Sequence, residues 1–200
     1  MPVIVWINGA FGSGKTQTAA ELHRRTDRSF VYDPENAGYF IRKNVPPHLR
    51  HDDFQDDPLW REFNYSMLKR LDREYDGMII APMTLVNPQY FNEIVGRLRD
   101  EGVVLHHFAL CASKETLKKR LGKRGEGNGS WAVRQIDRCI EGLAGAKMQH
   151  RIDTDGLTIS DNVELIASLA HIDLLPDHRG KARKAVDRWI TQAKHFRFFG

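Results

Sequence analysis

The run Gly9-Ala10-Phe11-Gly12-Ser13-Gly14-Lys15-Thr16 fits G-x-x-x-x-G-K-[ST] at each constrained position. Residues of these types at this spacing suit the phosphates of a nucleoside triphosphate. The glycines let the backbone curl its N–H groups around the β-phosphate, Lys15 reaches the β/γ-oxygens, and the Thr16 hydroxyl is placed to hold Mg²⁺. Gln17 extends the set of candidate nucleotide contacts into the helix that follows. Val3-Ile4-Val5-Trp6-Ile7 before the loop reads as a buried strand, and residues 17–25 after it read as a helix with Ala19 and Leu22 turned to a sheet.

Phosphoryl transfer also asks for a group at the acceptor. Ser29-Phe30-Val31-Tyr32 reads as a second strand, stopped by Asp33-Pro34, which puts a carboxylate at a strand's carboxyl end. Ligands collect at that end of open parallel sheets, and the second strand is expected to neighbour the first, so Asp33 and the loop should face one crevice. Three roles are open to Asp33: taking the proton of an acceptor hydroxyl, contacting Mg²⁺ through water, or capping the turn into Glu35. No acid ends a later apolar strand. Residues 77–83 run into Thr84, with Asn87 nearby, and the strand from 103 to 110 into Cys111-Ala112-Ser113. A metal-and-water ATPase of the motor or switch type is therefore disfavoured.

Lys118, Lys119, Arg120, Lys123 and Arg124 run into the glycine-rich connector at 122–129, and Arg134 and Arg138 follow at i, i+4. Residues 118–138 together read as a lid. Arg120 and Arg124 are the candidates to offset charge on a moving phosphoryl group, and the alternative for each is a solvated helix face.

Alternating elements must position these groups. After a poorly periodic stretch at 35–57, read as a substrate-side loop or short helical insertion, Asp57 and Pro58 open a helix to residue 75 with Leu59, Phe63, Met67, Leu71 and Tyr75 as its apolar stripe. Further helices are expected at 88–100, from a Ser113 cap, at 130–143 and at 160–170, with strands at 77–83, 103–110 and 150–152. The pattern predicts an α/β fold, a parallel five-stranded sheet flanked by helices, over residues 1–176. Two cysteines, Cys111 and Cys139, are too few for a disulfide framework and read as reduced thiols. No apolar run is long enough to cross a bilayer and no leader precedes the first strand, which predicts a cytoplasmic protein.

The formal charge of +4 belongs to the tail. Residues 177–200 hold seven Lys/Arg against two Asp, leaving 23 basic and 24 acidic groups on the first 176 residues. A nearly neutral body argues against a nucleic-acid partner. In the tail Ala182, Ala185, Val186, Trp189, Ile190, Ala193 and Phe196 recur at three and four residues, with Lys181, Arg183, Lys184, Arg188, Lys194 and Arg197 over the rest of the surface. This basic amphipathic helix either rests on an anionic membrane face or docks on the domain by its apolar stripe.

The P-loop with its flanks, Val31-Tyr32-Asp33-Pro34-Glu35, Asp52-Asp53-Phe54-Gln55, Pro58-Leu59-Trp60-Arg61 and the blocks Ser130-Trp131-Ala132 and Gln135-Ile136-Asp137-Arg138-Cys139 resemble the bacterial tunicamycin-resistance ATP-binding proteins. The wider fold resembles small-molecule P-loop kinases such as shikimate kinase, gluconate kinase and chloramphenicol phosphotransferase. The resemblance implies ATP and Mg²⁺ as cofactors, Asp33 as a catalytic base or substrate ligand, and a tunicamycin-like nucleoside as the small-molecule partner. For such a ligand Asp52, Asp53, Gln55, Arg61 and Asn64 offer hydrogen bonds, while Phe54, Trp60 and Tyr65 either stack on it or pack the insertion onto the core. The expected function is ATP-dependent phosphorylation of a drug hydroxyl, against nucleotide-dependent sequestration or a kinase of another nucleoside or sugar.

Overall fold

The computed structural model describes residues 2–127, 129–145 and 149–195, and side chains to residue 193. Five strands, β1 (Val3–Gly9), β2 (Ser29–Val31), β3 (Met78–Pro82), β4 (Leu105–Cys111) and β5 (His150–Asp153), form one wholly parallel sheet in the order β2-β3-β1-β4-β5. The expected sheet is therefore present, with one correction. β2 pairs with β3, not β1, and Asp33 leaves from the sheet's edge. A three-residue strand pairs on one side only, whereas the buried strand β3 has ladder partners on both.

Alternate β1 residues feed two cores. Ile4 and Trp6 join Trp60, Leu68, Ile79, Ile94 and Leu98 on the face covered by α3 (Pro58–Glu74) and by the run of α4 (Pro88–Phe91), a π turn (Asn92–Gly96) and α5 (Arg97–Asp100). Val5 and Ile7 join Ala19, Leu22, Phe108, Val163 and Ile166 under α1 (Lys15–Arg24) and α9 (Ile159–Ala170). A third cluster, with Ala10, Leu117, Leu121, Ile136 and Cys139, knits α6 (Lys114–Gly122), α7 (Trp131–Arg134) and α8 (Ile136–Gly145) to the phosphate-loop end.

Residues 35–57 take the helical of the two expected forms. They hold α2 (Glu35–Asn44) and two 3-10 turns, Pro47–Leu49 and Phe54–Asp56. Asp57 caps α3 through Leu59 N with Pro58 in the first turn, as expected. The buried face of α3 differs from the expected stripe, since Leu59 and Phe63 are exposed and Trp60, Asn64, Tyr65 and Leu68 point inward. Trp60 Nε1 donates to Pro34 O at 3.0 Å and Tyr32 Oη to Asn64 Oδ1 at 2.7 Å. Those bonds to the β2 end fix the rotation of α3. The helix expected at 130–143 breaks at Gln135, so Arg134 and Arg138 do not share a helix face.

The carboxy-terminal helix α10 (Lys181–His195) docks by its polar edge. Asp187 and Thr191 are buried, while Val186, Trp189 and Ile190 are 48%, 71% and 38% exposed. Arg179 ion-pairs with Glu21, with Asp177 at 2.8 Å and with Asp187 at 2.9 Å, and Arg24 donates to Thr191 Oγ1 at 2.7 Å. Docking through the apolar stripe is thereby excluded for the described residues; Phe196 and Arg197 lie outside them. No described helix is long and apolar enough to cross a membrane.

Candidate active site

The phosphate loop is built by close approach. Gly12 (φ 84°) and Gly14 (φ 101°) take left-handed backbone that L side chains resist. A Cβ on Gly9 would stand 2.4 Å from Ser13 Oγ and 2.7 Å from Leu110 O. Asn8, fully buried, sutures the loop's root to the segment after β3: its Oδ1 accepts from Gly9 N and Leu85 N, and its Nδ2 donates to Leu85 O at 2.7 Å. Thr84 Oγ1 donates to Gly9 O at 2.8 Å, so Thr84 braces the loop, and Asn87 caps α4.

Lys15 Nζ turns back onto Gly9 O at 2.9 Å and Ala10 O at 3.1 Å and lies over the Phe11 ring. Burial pushes its pKa down to about 8, and Glu35 opposes that shift. Ser13 Oγ is buried without a hydrogen-bond partner among the described residues. A cradle of turned backbone, a cation turned onto backbone carbonyls and an unmatched hydroxyl fit a phosphate group, with Gly9 through Gln17 around it and the Thr16 side chain at the start of α1 for a metal. No cluster of three His, Cys, Asp or Glu among the described residues would hold a metal by itself.

Asp33 Oδ1 accepts from Glu35 N at 3.0 Å, an Asx turn that starts α2. One consequence is the approach of Glu35 to Lys15, and Tyr39 Oη donates toward Glu35 Oε2 at 3.5 Å. Glu35 is the site carboxylate that sequence reasoning missed. The available signal was its place in the first turn of a helix leaving the β2 end.

Arg120 is not carried on a loose lid. It donates to Thr154 O at 2.6 Å, to Thr154 Oγ1 at 3.1 Å and to Ser13 O at 3.4 Å, bracing the phosphate loop against the β5 end. Arg124 stands beside it, its pKa lowered by burial, with no ion pair within 4 Å among the described residues. Arg134 donates to Gly129 O, and Arg138 reaches Asp53 at 3.0 Å.

The insertion corrects several expected ligand contacts. Trp60 and Asn64 are wholly buried, and Gln55 and Arg61 nearly so. Gln55 Nε2 donates to Thr84 O, Arg61 donates to Gln55 O and pairs with Glu93, and Asn64 bonds Tyr32 and Trp60 O. Tyr65 is buried with its hydroxyl on Glu101 at 2.5 Å. These groups hold the insertion and α3 together and present no face to a ligand. Phe54 packs on Trp60 and over Gly38, where a Cβ would come within 2.5 Å of its ring. Asp52 is exposed and Asp53 half-buried, the latter also accepting from Gln55 N.

A second feature unseen in the sequence is a cleft of about 430 Å³ running from Gly12 and Gly14 past Arg120 and Leu157 to Arg188 of α10. It begins at the phosphate loop and is large enough for a nucleoside.

A family model described as AAA domain matches residues 4–144. Among solved structures, the chain is 33% identical to the Deinococcus radiodurans tunicamycin resistance protein, with a TM-score of 0.76 over 88% of this chain and 100% of that one. Shikimate kinase from Bacteroides thetaiotaomicron (16% identity, TM-score 0.59, 85% of this chain and 99% of that one) shares the fold. So does Mycobacterium tuberculosis APS kinase, solved with AMPPNP and APS (14%, TM-score 0.60, 85% and 98%). No curated protein sequence matches the chain.

Proposed function

Because the chain belongs to the AAA domain family and to the family of the D. radiodurans tunicamycin resistance protein, we propose that it is an ATP-dependent phosphotransferase acting on a hydroxyl of a tunicamycin-like nucleoside. The observation carrying this reading is the gathering of Lys15, Arg120 and Arg124 at one glycine cradle. In this proposal the loop amides and Lys15 hold the β/γ-phosphates and Thr16 takes Mg²⁺, which would offset phosphate charge when bound. Asp33 accepts the proton of the acceptor hydroxyl as its oxygen bonds the γ-phosphorus and ADP leaves. Glu35 orients Lys15, and Arg124 offsets charge on the transferred group. Arg120 acts by positioning the loop.

The Asx turn at Asp33 favours one alternative, nucleotide-dependent sequestration without transfer, because a carboxylate engaged in capping has less capacity for a substrate proton. Mass spectrometry after incubation with ATP, Mg²⁺ and tunicamycin separates the two. A gain of one phosphoryl group on the drug supports transfer. Unmodified drug retained only with nucleotide supports sequestration, and ADP release with other nucleosides or sugars but not with tunicamycin would redirect the substrate.

We also propose that the exposed stripe of α10 rests on an anionic membrane surface. Trp189, Val186 and Ile190 lie outward beside Lys181 and Arg183, an apolar face with a cationic border. Co-sedimentation with phosphatidylglycerol vesicles should be lost in Trp189→Glu. Equal pelleting of that variant and the parent would sink the proposal.

A further inference from the structure

The inner edge of α10 has a separate use. Around this helix Asp187 and Thr191 face α1, the apolar stripe faces out, and Arg188 and Gln192, one turn apart, fall on the edge between them. Both line the cleft that opens at Gly14. The helix is tied there by Gln17 Nε2, which donates to Arg188 O at 3.0 Å. Thus the second residue after the loop lysine is bonded directly to the carboxy-terminal helix. Across the cleft Asn162 of α9 is 2% exposed, and its Oδ1, like Gln17 Oε1, has no hydrogen-bond partner among the described residues. Buried amide oxygens without partners are costly, so the wall is short of donors.

We infer that α10 completes the nucleotide site, with Arg188 and Gln192 contacting the sugar-and-base half of a bound nucleoside di- or triphosphate whose phosphates lie in the loop. This rests on the nucleotide-binding part of the function proposed above, and it extends that site to a segment 171 residues away in sequence. Its chemistry follows from the wall. Leu157 supplies an apolar face, Asn162 and Gln17 supply acceptors, Gln192 supplies an amide, and Arg188 adds a cation to the lining. A nucleotide bridging α1 and α10 would also hold the helix in place, because ligand binding to the docked form stabilises that form.

Titration of the full chain with a fluorescent ADP analogue in Mg²⁺ tests this, with hydrogen exchange of residues 181–193 as a second readout. Arg188→Ala is expected to weaken binding about tenfold, the scale of a partly exposed charge-assisted hydrogen bond. Gln192→Ala is expected to weaken it several-fold. Trp189→Ala and Arg183→Ala, which alter the outer surface and the net charge, should bind like the parent. ADP should slow exchange of α10 amides in the parent and less so in Arg188→Ala. Parent-like affinity in both Arg188→Ala and Gln192→Ala, with the parent binding ADP, would overturn the role of α10 alone. No ADP binding by the parent would overturn the nucleotide reading and this inference with it.

Discussion

Arg138 Nη2 lies 3.0 Å from Asp53 Oδ2, an ion pair that joins α8 to the insertion before α3. Asp53 is the better shielded partner, since its other oxygen already accepts from Gln55 N. Half-exposed pairs of this kind contribute about 0–1 kcal/mol. Arg138→Ala should therefore leave the melting temperature within about 4 °C. If the acceptor enters here, its apparent KM should change several-fold with nucleotide affinity constant. Equal KM values in parent and variant would place acceptor entry elsewhere.

Lys15 gives the site a pH signature. Its pKa of about 8, against 10.5 when unburied, means that the unfolded chain binds more protons than the folded one between those values. The cost of burying the charged amine is present below pH 8 and is relieved as pH rises through that window. Phosphate arriving at Lys15 favours the ammonium, so nucleotide affinity should fall above pH 8 and binding at pH 8.5 should take up protons. Calorimetry in buffers of different ionisation enthalpy reads this directly. Lys15→Met should abolish both effects, and a buffer-independent heat in the parent would contradict the assignment.

Gly9→Ala tests the packing of the loop root. The added carbon meets Ser13 Oγ and Leu110 O at distances real side chains do not tolerate. A loss of about 1–3 kcal/mol in urea unfolding is expected, together with loss of nucleotide binding. Gly102→Ala, with no atom within 4 Å of the new carbon but a φ of 83°, should cost only the backbone strain and leave binding unchanged.

Trp60→Ala should lower stability by about 3–5 kcal/mol, as expected for a fully buried indole. Trp60→Phe keeps most of the packing and leaves Pro34 O without its donor, a cost of about 1–3 kcal/mol. Neither loss depends on a ligand being present. A Trp60→Phe protein with parent-like stability and weakened drug binding would restore the stacking role that the structure denies.

Asp177 sets the acid limit of α10 docking. Hydrogen bonds from Arg179 and Lys184 hold its carboxyl well below the ordinary range. Its contribution is complete above about pH 4 and fades as pH drops through the folded value. Asp177→Asn should mimic that release at neutral pH, seen as faster proteolysis after Arg183 or Lys184. Unchanged cleavage rates would assign the docking to Glu21 and Asp187 alone.

What could be read from the chain was local. The phosphate loop is legible because strand, glycines, Lys15 and Thr16 are contiguous, and caps such as Asp57 and Ser113 act on amides two or three residues away. The alternation of apolar runs likewise sufficed for a parallel sheet between helices. Tertiary structure decided the rest. The β2 end sits at the sheet edge, Glu35 is brought to Lys15, and Trp60 turns inward because Pro34 O is there to receive its N–H. Helix α10 is the clearest case: its apolar periodicity left open a membrane contact or docking by that stripe, and the Arg179 network with Glu21, Asp177 and Asp187 docks its polar edge instead. Periodicity reports which residues share a face. Which face is buried depends on partners distant in sequence, and here charge-assisted bonds among buried groups chose it.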